Sequence, residues 1–272
     1  MSFVVNQTRE LFKSLISNRR LIYTLTRREV ISRYRGSVLG LLWSFFTPVL
    51  MLVVYTFVFS VVFQAKWSEG STSRTAFALV LFSGLIIFNL FSECINRAPT
   101  AILANANYVK KVIFPLEVLP WVNLFAALFH FSISCLVWLI FYIVEVGMPH
   151  ITILLLPFVL LPLVLMIMGL SWFLGSLGVY LRDVSQIVGI ATMVLMFLSP
   201  IFFPTSALPE SVRPLLLLNP LAQFIEQARD VMYWGRIPEI RPYLVGLIVN
   251  AAIAWAGFLW FQKTRKGFAD VI

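Results

Sequence analysis

Long apolar runs separated by short polar connections dominate this chain, and the runs set its architecture. The stretches 39–63, 76–95, 116–144, 151–181, 185–203 and 243–261 carry almost no charge. At about 1.5 Å per helical residue each approaches or exceeds the roughly 30 Å of a bilayer core. None alternates polar and apolar positions with the period of two that a barrel strand needs. None offers the polar face of a helix packed in a soluble core. The pattern predicts an all-α integral membrane protein with six transmembrane helices.

The connections are as informative as the spans. Residues 1–38 form a cytoplasmic arm ahead of the transmembrane domain, 39–272. Within it Leu11, Phe12, Leu15, Ile16 and Ile22 share a helical face with Lys13 and Arg20 turned away, which suits an interfacial helix, with a break expected at Asn18 to Arg20. Arg27, Arg28, Glu29, Arg33, Tyr34 and Arg35 then make a polar threshold, readable as a snorkelling anchor or as a functional mouth. Gly36 and Gly40 have the small-xxx-small spacing of close helix packing. Between the second and third spans, Pro99 and Pro115 bound a helix-compatible stretch, about 100–112, that reads as a solvated loop or a docking surface. Glu93 and Arg97, four apart, are placed to pair with each other. From Ser199 to Gly235 five prolines forbid one regular span, yet Leu215 to Leu218 are too apolar for an ordinary external loop. Two short re-entrant or interfacial helices at about 206–235 are expected there, because irregular backbone at membrane depth needs shielding.

Charge orients the chain. Of 21 Lys and Arg residues, fifteen fall in the arm, the second and fourth connections and the tail, and six on the opposite side. The positive-inside rule then puts both termini in the cytoplasm. The net charge of +9 is explained by anionic membrane lipids without nucleic acid. No short apolar stretch with a cleavage site precedes Leu39, so a cleaved leader is not expected. Cys94 and Cys135 lie in or beside spans and read as packing residues.

Several chemistries have no sequence support. No GxxxxGK[ST] motif occurs, so no P-loop is expected in this chain. His130 lies in the third span without a carboxylate near it in sequence, and a bond to a neighbouring helix is its expected role; His150 falls in an outer turn. Charges are missing from the middle of every span, so the energy for transport is expected from outside the chain.

The run "RREVISRYRGSVLGLLWSFFTPVL" resembles the opening of the membrane subunit of ABC-2-type polysaccharide exporters, which move O-antigen, capsule and teichoic acid chains. "NANYVKKVIFPLEVLP", "GVYLRDVSQIV" running into "SPIFFP", and "LNPLAQFIEQARDVMYWG" are similar in the same order. The resemblance implies a permease rather than an enzyme, moving undecaprenyl-pyrophosphate-linked polysaccharide, O-antigen favoured, across the bacterial inner membrane. It implies two copies of this chain and two of an ABC-type ATPase, which holds the ATP and Mg; this chain itself needs no cofactor or metal. Arg27, Arg28, Arg33, Tyr34 and Arg35 would then stand near the substrate pyrophosphate, and Asn105, Asn107, Tyr108, Lys110 and Lys111 would dock the ATPase. Trp43, Tyr55, Phe59, Phe88 and Phe91 are candidate channel aromatics. Pro209, Pro214, Asn219, Pro220 and Phe224 would belong to periplasmic gate helices. The alternatives are a permease of the same fold for teichoic acid, capsule or a small hydrophobic compound, and, from another class, an enzyme of isoprenoid-lipid metabolism. The last would need clustered carboxylates or histidines at one membrane face, whereas Glu93, Glu117 and Asp183 are scattered in sequence.

Overall fold

The computed structural model describes residues 14–62, 67, 74–109, 114–205, 209–211, 216 and 219–272. They form helices α1 (Arg19–Arg33), α2 (Trp43–Tyr55), α3 (Arg74–Arg97), α4 (Leu119–Glu145), α5 (Leu156–Tyr180), α6 (Val184–Leu198), α7 (Ala222–Arg229) and α8 (Ile240–Thr264), with no strand among the described residues. Five helical stretches are long and apolar enough to cross a membrane: Gly40–Phe59, Thr75–Thr100, Leu116–Glu145, Ile151–Tyr180 and Ile240–Val271. The remaining expected span, 185–203, is shorter. Helix α6 has 15 residues, about 22 Å, and ends where Ser199 turns extended before Pro200. A residue preceding proline is pushed out of the helical region, so the chain breaks there.

Pro48 and Pro162 lie inside α2 and α5, whereas two others sit where a helix tolerates them. Pro120 and Pro157 occupy the first turns of α4 and α5, whose N–H groups lack intrahelical partners anyway.

Helix α3 is the axis of the fold. Over its most apolar window 78% of the residues are buried, against 11% for the first span. From Phe77 to Phe91 every residue is buried except Asn89. Trp138 of α4 donates its indole N–H to the Leu79 carbonyl at 2.9 Å, and Thr192 of α6 donates to Asn96 at 3.0 Å, so polar bonds as well as packing tie the neighbours to this helix. Helices α5 and α8 pack most intimately of all. A Cβ on Gly257 would overlap the Gly169 backbone, and one on Gly169 would meet the Ile253 carbonyl at 2.5 Å. This is the close small-residue crossing that lipid-embedded helices use in place of a hydrophobic driving force.

The spacing of Gly36 and Gly40 works differently from the expectation. Both adopt positive φ, 86° and 50°, in the turn between α1 and α2, with nothing within 4 Å of where a Cβ would lie. They let the chain reverse rather than let helices touch. The arm breaks at Asn18, as expected, where the side-chain amide donates to the Ser14 carbonyl at 2.9 Å. Its apolar face is covered by protein only in part: Ile22 and Leu25 pack on Val118 and Val122 at the start of α4, whereas Ile16 is exposed. Leu11, Phe12 and Lys13 lie outside the described residues.

The segment after α6 is also packed rather than draped. Helix α7 continues as a wide turn through Asp230–Trp234, ended by Gly235 at φ 67°, and lies against α3 and α5. Leu221, Ile225, Ala228, Val231 and Met232 along it are fully buried.

A polar pocket at the foot of the first span

The arm brings its last residues under the membrane domain through a series of bonds that no spacing in the sequence announced. Arg28 donates to the Tyr108 hydroxyl at 2.8 Å, and Arg97 Nη1 lies 2.9 Å from Glu29 Oε1. One turn further on, Arg33 Nη2 meets Glu93 Oε1 at 2.6 Å. Glu93 and Arg97 therefore do not pair with each other: both project to the α1 side of α3, and each takes its partner from the arm. Near the tail, Arg265 pairs with Glu117 at 3.0 Å.

His130 completes the Arg33 cluster. Its Nδ1 stands 3.0 Å from Glu93 Oε1 and 2.8 Å from Arg33 Nη1, while Nε2 is 3.2 Å from the Tyr34 hydroxyl. The Tyr34 ring meets the imidazole edge-on. Three elements, the end of α1, α3 and α4, thus converge on one cation, one carboxylate and one imidazole. A carboxylate does lie beside His130 in space, 37 positions away in the chain.

Above the cluster opens a cavity of about 550 Å³ between α2, α3 and α4. Ser44, Thr47, Tyr55, Asn89, Ser92 and Ser134 line it along with the cluster itself, interleaved with the apolar Pro48, Met51 and Phe82. From Ser44 to Tyr55 the lining climbs about 16 Å of helix, half the thickness of a hydrocarbon core. The Ser44 and Ser134 hydroxyls donate to Leu41 and His130 carbonyls at 2.7 and 3.0 Å, so their oxygens remain acceptors toward the cavity. Asn89, the one exposed residue in the buried run of α3, faces it too. The wall can therefore exchange hydrogen bonds with a hydroxylated guest along its length. Its foot can receive an anion.

The expected site residues divide accordingly. Arg33 and Tyr34 enter the pocket; Arg27 and Arg35 are exposed, without a polar partner among the described residues; Arg28 is committed to Tyr108. In the expected docking segment Tyr108 stacks flat on Phe114 with ring centroids 4.2 Å apart, and Asn105 caps back onto the Ala101 carbonyl at 2.9 Å. Asn107 sits in the short helix Ala106–Val109, and Lys110 and Lys111 lie outside the described residues. Tyr55 lines the pocket, Trp43 is exposed at the foot of α2, and Phe59 stacks between Phe77 and Phe202 at 5.9 and 5.7 Å. Phe88 and Phe91 do not face this opening. They are 4% and 3% exposed, inside the core of the chain.

At the opposite end of the bundle, Asn219 fastens the break after α6, donating to the Leu198 carbonyl at 3.0 Å and to Ser199 Oγ at 2.9 Å while accepting from the Leu221 N–H. Phe224 is buried, Pro209 and Pro220 are exposed, and Pro214 lies outside the described residues. The residue that sequence reasoning missed here is Arg229. Fully buried, it donates to the carbonyls of Val80, Pro200 and Ile201, pairs with Glu226 at 3.2 Å and stacks 4.4 Å over Trp67. Burial pulls its pKa down to about 10, offset by Glu226, so it stays charged at neutral pH. Burial likewise raises the Glu226 carboxyl, against the pull of Arg229. No local pattern singles it out, because Glu226, Gln227 and Asp230 surround it in the chain.

Comparison with known proteins gives a consistent picture. The family profile described as "ABC-2 type transporter" matches residues 20–233. An O-antigen export system permease protein, RfbA, of Myxococcus xanthus is 30% identical over 264 residues, covering 96% of this chain and 99% of that protein. RfbA of Klebsiella pneumoniae is 25% identical over 256 residues, 93% and 95% of the two chains. The polysialic acid transport protein KpsM of Escherichia coli is 26% identical over 221 residues, 80% and 83%.

Proposed function

From the premise that this chain belongs to the ABC-2 type transporter family, we propose that it is the permease subunit of an ATP-driven exporter of lipid-linked polysaccharide, O-antigen before capsule. The observation that carries this reading is the pocket: a cation at its foot, and hydroxyl and amide groups up its wall. A pyrophosphate fits the foot, because a guanidinium offers paired donors to phosphate oxygens. Sugar hydroxyls fit the wall. A long glycan cannot cross hydrocarbon unaided, and polar contacts along a track replace its water.

Two copies of the chain form the passage. The first span buries little of itself within one copy, and the polar cavity opens beside it. Polar lining at membrane depth is not left against lipid tails, so a second copy is the cover in this reading. The membrane is the bacterial inner membrane, with both termini cytoplasmic. Helix α6 completes a sixth crossing together with the irregular Ser199 to Pro204 segment, and the α7 segment acts as part of an outer gate. The segment around Asn105 to Lys111 docks a separate ATPase, where ATP and Mg are held.

The test is reconstitution with the co-expressed ATPase in proteoliposomes. Lipid-linked O-antigen should raise ATP hydrolysis, and Arg33→Ala with Arg35→Ala should abolish most of that stimulation while leaving basal hydrolysis within about twofold. Equal losses of basal and stimulated activity would make the threshold a structural anchor. Purification without any P-loop ATPase would sink the transporter reading.

A further inference from the structure

Arg33, the cation at the foot of the pocket, is not waiting empty. A single carboxylate oxygen, Glu93 Oε1, lies 2.6 Å from its guanidinium and 3.0 Å from His130 Nδ1. The guanidinium donates to an anionic oxygen there, with an imidazole nitrogen beside it, and that is the place a phosphate oxygen would take. Any anion entering the cavity must compete with Glu93 for Arg33. Resting on the reading that a pyrophosphate binds here, we propose that Glu93 is a resident carboxylate that occupies the phosphate position in the empty transporter and is displaced from Arg33 by the arriving substrate.

The partners differ in mobility in the direction the exchange needs. Glu93 stands on α3, the most buried helix, whereas Arg33 is the last residue of α1 and is followed by the turn through Gly36. Arg33 is the partner that moves. Helix α1 also carries Arg28, bonded to Tyr108, so a shift of its end reaches the 105–109 segment through a single rigid element. The exchange thereby links occupation of the pocket to the docking segment.

It also supplies selectivity. A pyrophosphate brings about two or more negative charges to a cation already neutralised by one, and out-competes the carboxylate; the phosphodiester of an ordinary lipid headgroup brings a single charge and only matches it. Glu93 thus discriminates against the abundant lipids around it by making them compete for the guanidinium.

The test measures farnesyl pyrophosphate and inorganic pyrophosphate binding to the full chain in phosphatidylcholine nanodiscs, repeated with phosphatidylglycerol included. Glu93→Gln, which keeps the side-chain shape and loses the charge, should bind pyrophosphate about tenfold tighter than wild type. It should also become sensitive to competition by phosphatidylglycerol, and Glu93→Asp should stay near wild type. A gain for both probes supports the exchange with the anion alone as ligand; a gain confined to farnesyl pyrophosphate supports it with the lipid-linked form as ligand. Unchanged or weaker binding in a monodisperse Glu93→Gln protein, or the same gain in Glu93→Asp, overturns the proposal. Arg33→Gln separates the two levels: it should abolish binding in either background, and if it does not, the pyrophosphate reading itself fails.

Discussion

Replacing Arg229 by methionine tests whether a buried cation holds the break after α6 against α3. The guanidinium sits in a space that Gly84 leaves open: a Cβ there would stand 2.7 Å from Nη2. It serves three carbonyls. That of Val80 also accepts the Ser83 hydroxyl at 2.7 Å, so it keeps a partner when Arg229 is lost. Those of Pro200 and Ile201 belong to the irregular stretch after α6 and are orphaned. Each orphaned acceptor costs about 1–3 kcal/mol, and loss of the stack on Trp67 adds about 1 kcal/mol. Glu226, half-open to water, resolvates or takes a proton. A total near 4 kcal/mol corresponds to a fall of about 10 °C in apparent Tm for a chain of this size. Lysine, a point charge with a different reach, should recover about half of it. The assay is thermal unfolding of the detergent-solubilised protein followed by size-exclusion, with Gly84→Ala as a coupled control. That alanine should cost about 1–2 kcal/mol in the wild type by crowding the guanidinium, and much less in the Arg229→Met background. An Arg229→Met protein within about 2 °C of wild type, or additive losses in the double variant, would refute the idea that Arg229 clamps the break to α3.

Two further perturbations address other parts of the chain. Gly257→Leu should prevent α8 from closing on Gly169 and leave little monodisperse protein, a loss of about 3 kcal/mol or more, read by fluorescence-detected size-exclusion; a leucine at the outward-facing Ile248 serves as the tolerated control. Lys110→Glu with Lys111→Glu should leave membrane insertion intact but reduce coupled export at least tenfold at unchanged ATPase expression, measured by surface polysaccharide; unaltered export would remove this segment from the docking surface.

What the sequence disclosed and what it withheld follow from the range of each interaction. Five spans, the arm, the break at Asn18 and the disrupted 199–235 stretch depend on local composition, proline and charge, and all are visible as patterns along the chain. Glu93 and His130 are 37 positions apart and Arg33 and Glu93 are 60 apart, on different helices. Nothing local distinguishes such a carboxylate from one that pairs with Arg97 four residues on. The i,i+4 rule describes an isolated helix, and here both side chains point toward a third element that removes them from each other. Phe88 and Phe91 fail as wall residues for a related reason. Aromatic content says how much ring there is, whereas the face it occupies is decided by which helix becomes the axis, and α3 turned out to be enclosed on nearly every side.

The contrast between α2 and α3 bears on how work is divided in the fold. A helix buried on all sides resists displacement, because every shift opens voids among close-packed neighbours. Glu93, Asn89 and the Val80 carbonyl that Arg229 grips all stand on that helix, so the Arg33 cluster, the cavity beside it and the Arg229 clamp share a rigid reference. The groups opposite them along the first span, Ser44, Thr47 and Tyr55, stand on an element that buries little of itself in its own chain, whereas Arg33 ends a helix packed on α4 through Ile22 and Leu25. A pocket with one fixed wall and one loosely held wall widens by movement of the loose side alone. Arg28 on α1 bonds Tyr108, so α1, which ends in Arg33 at the pocket, connects the 105–109 segment to the pocket without passing through the core.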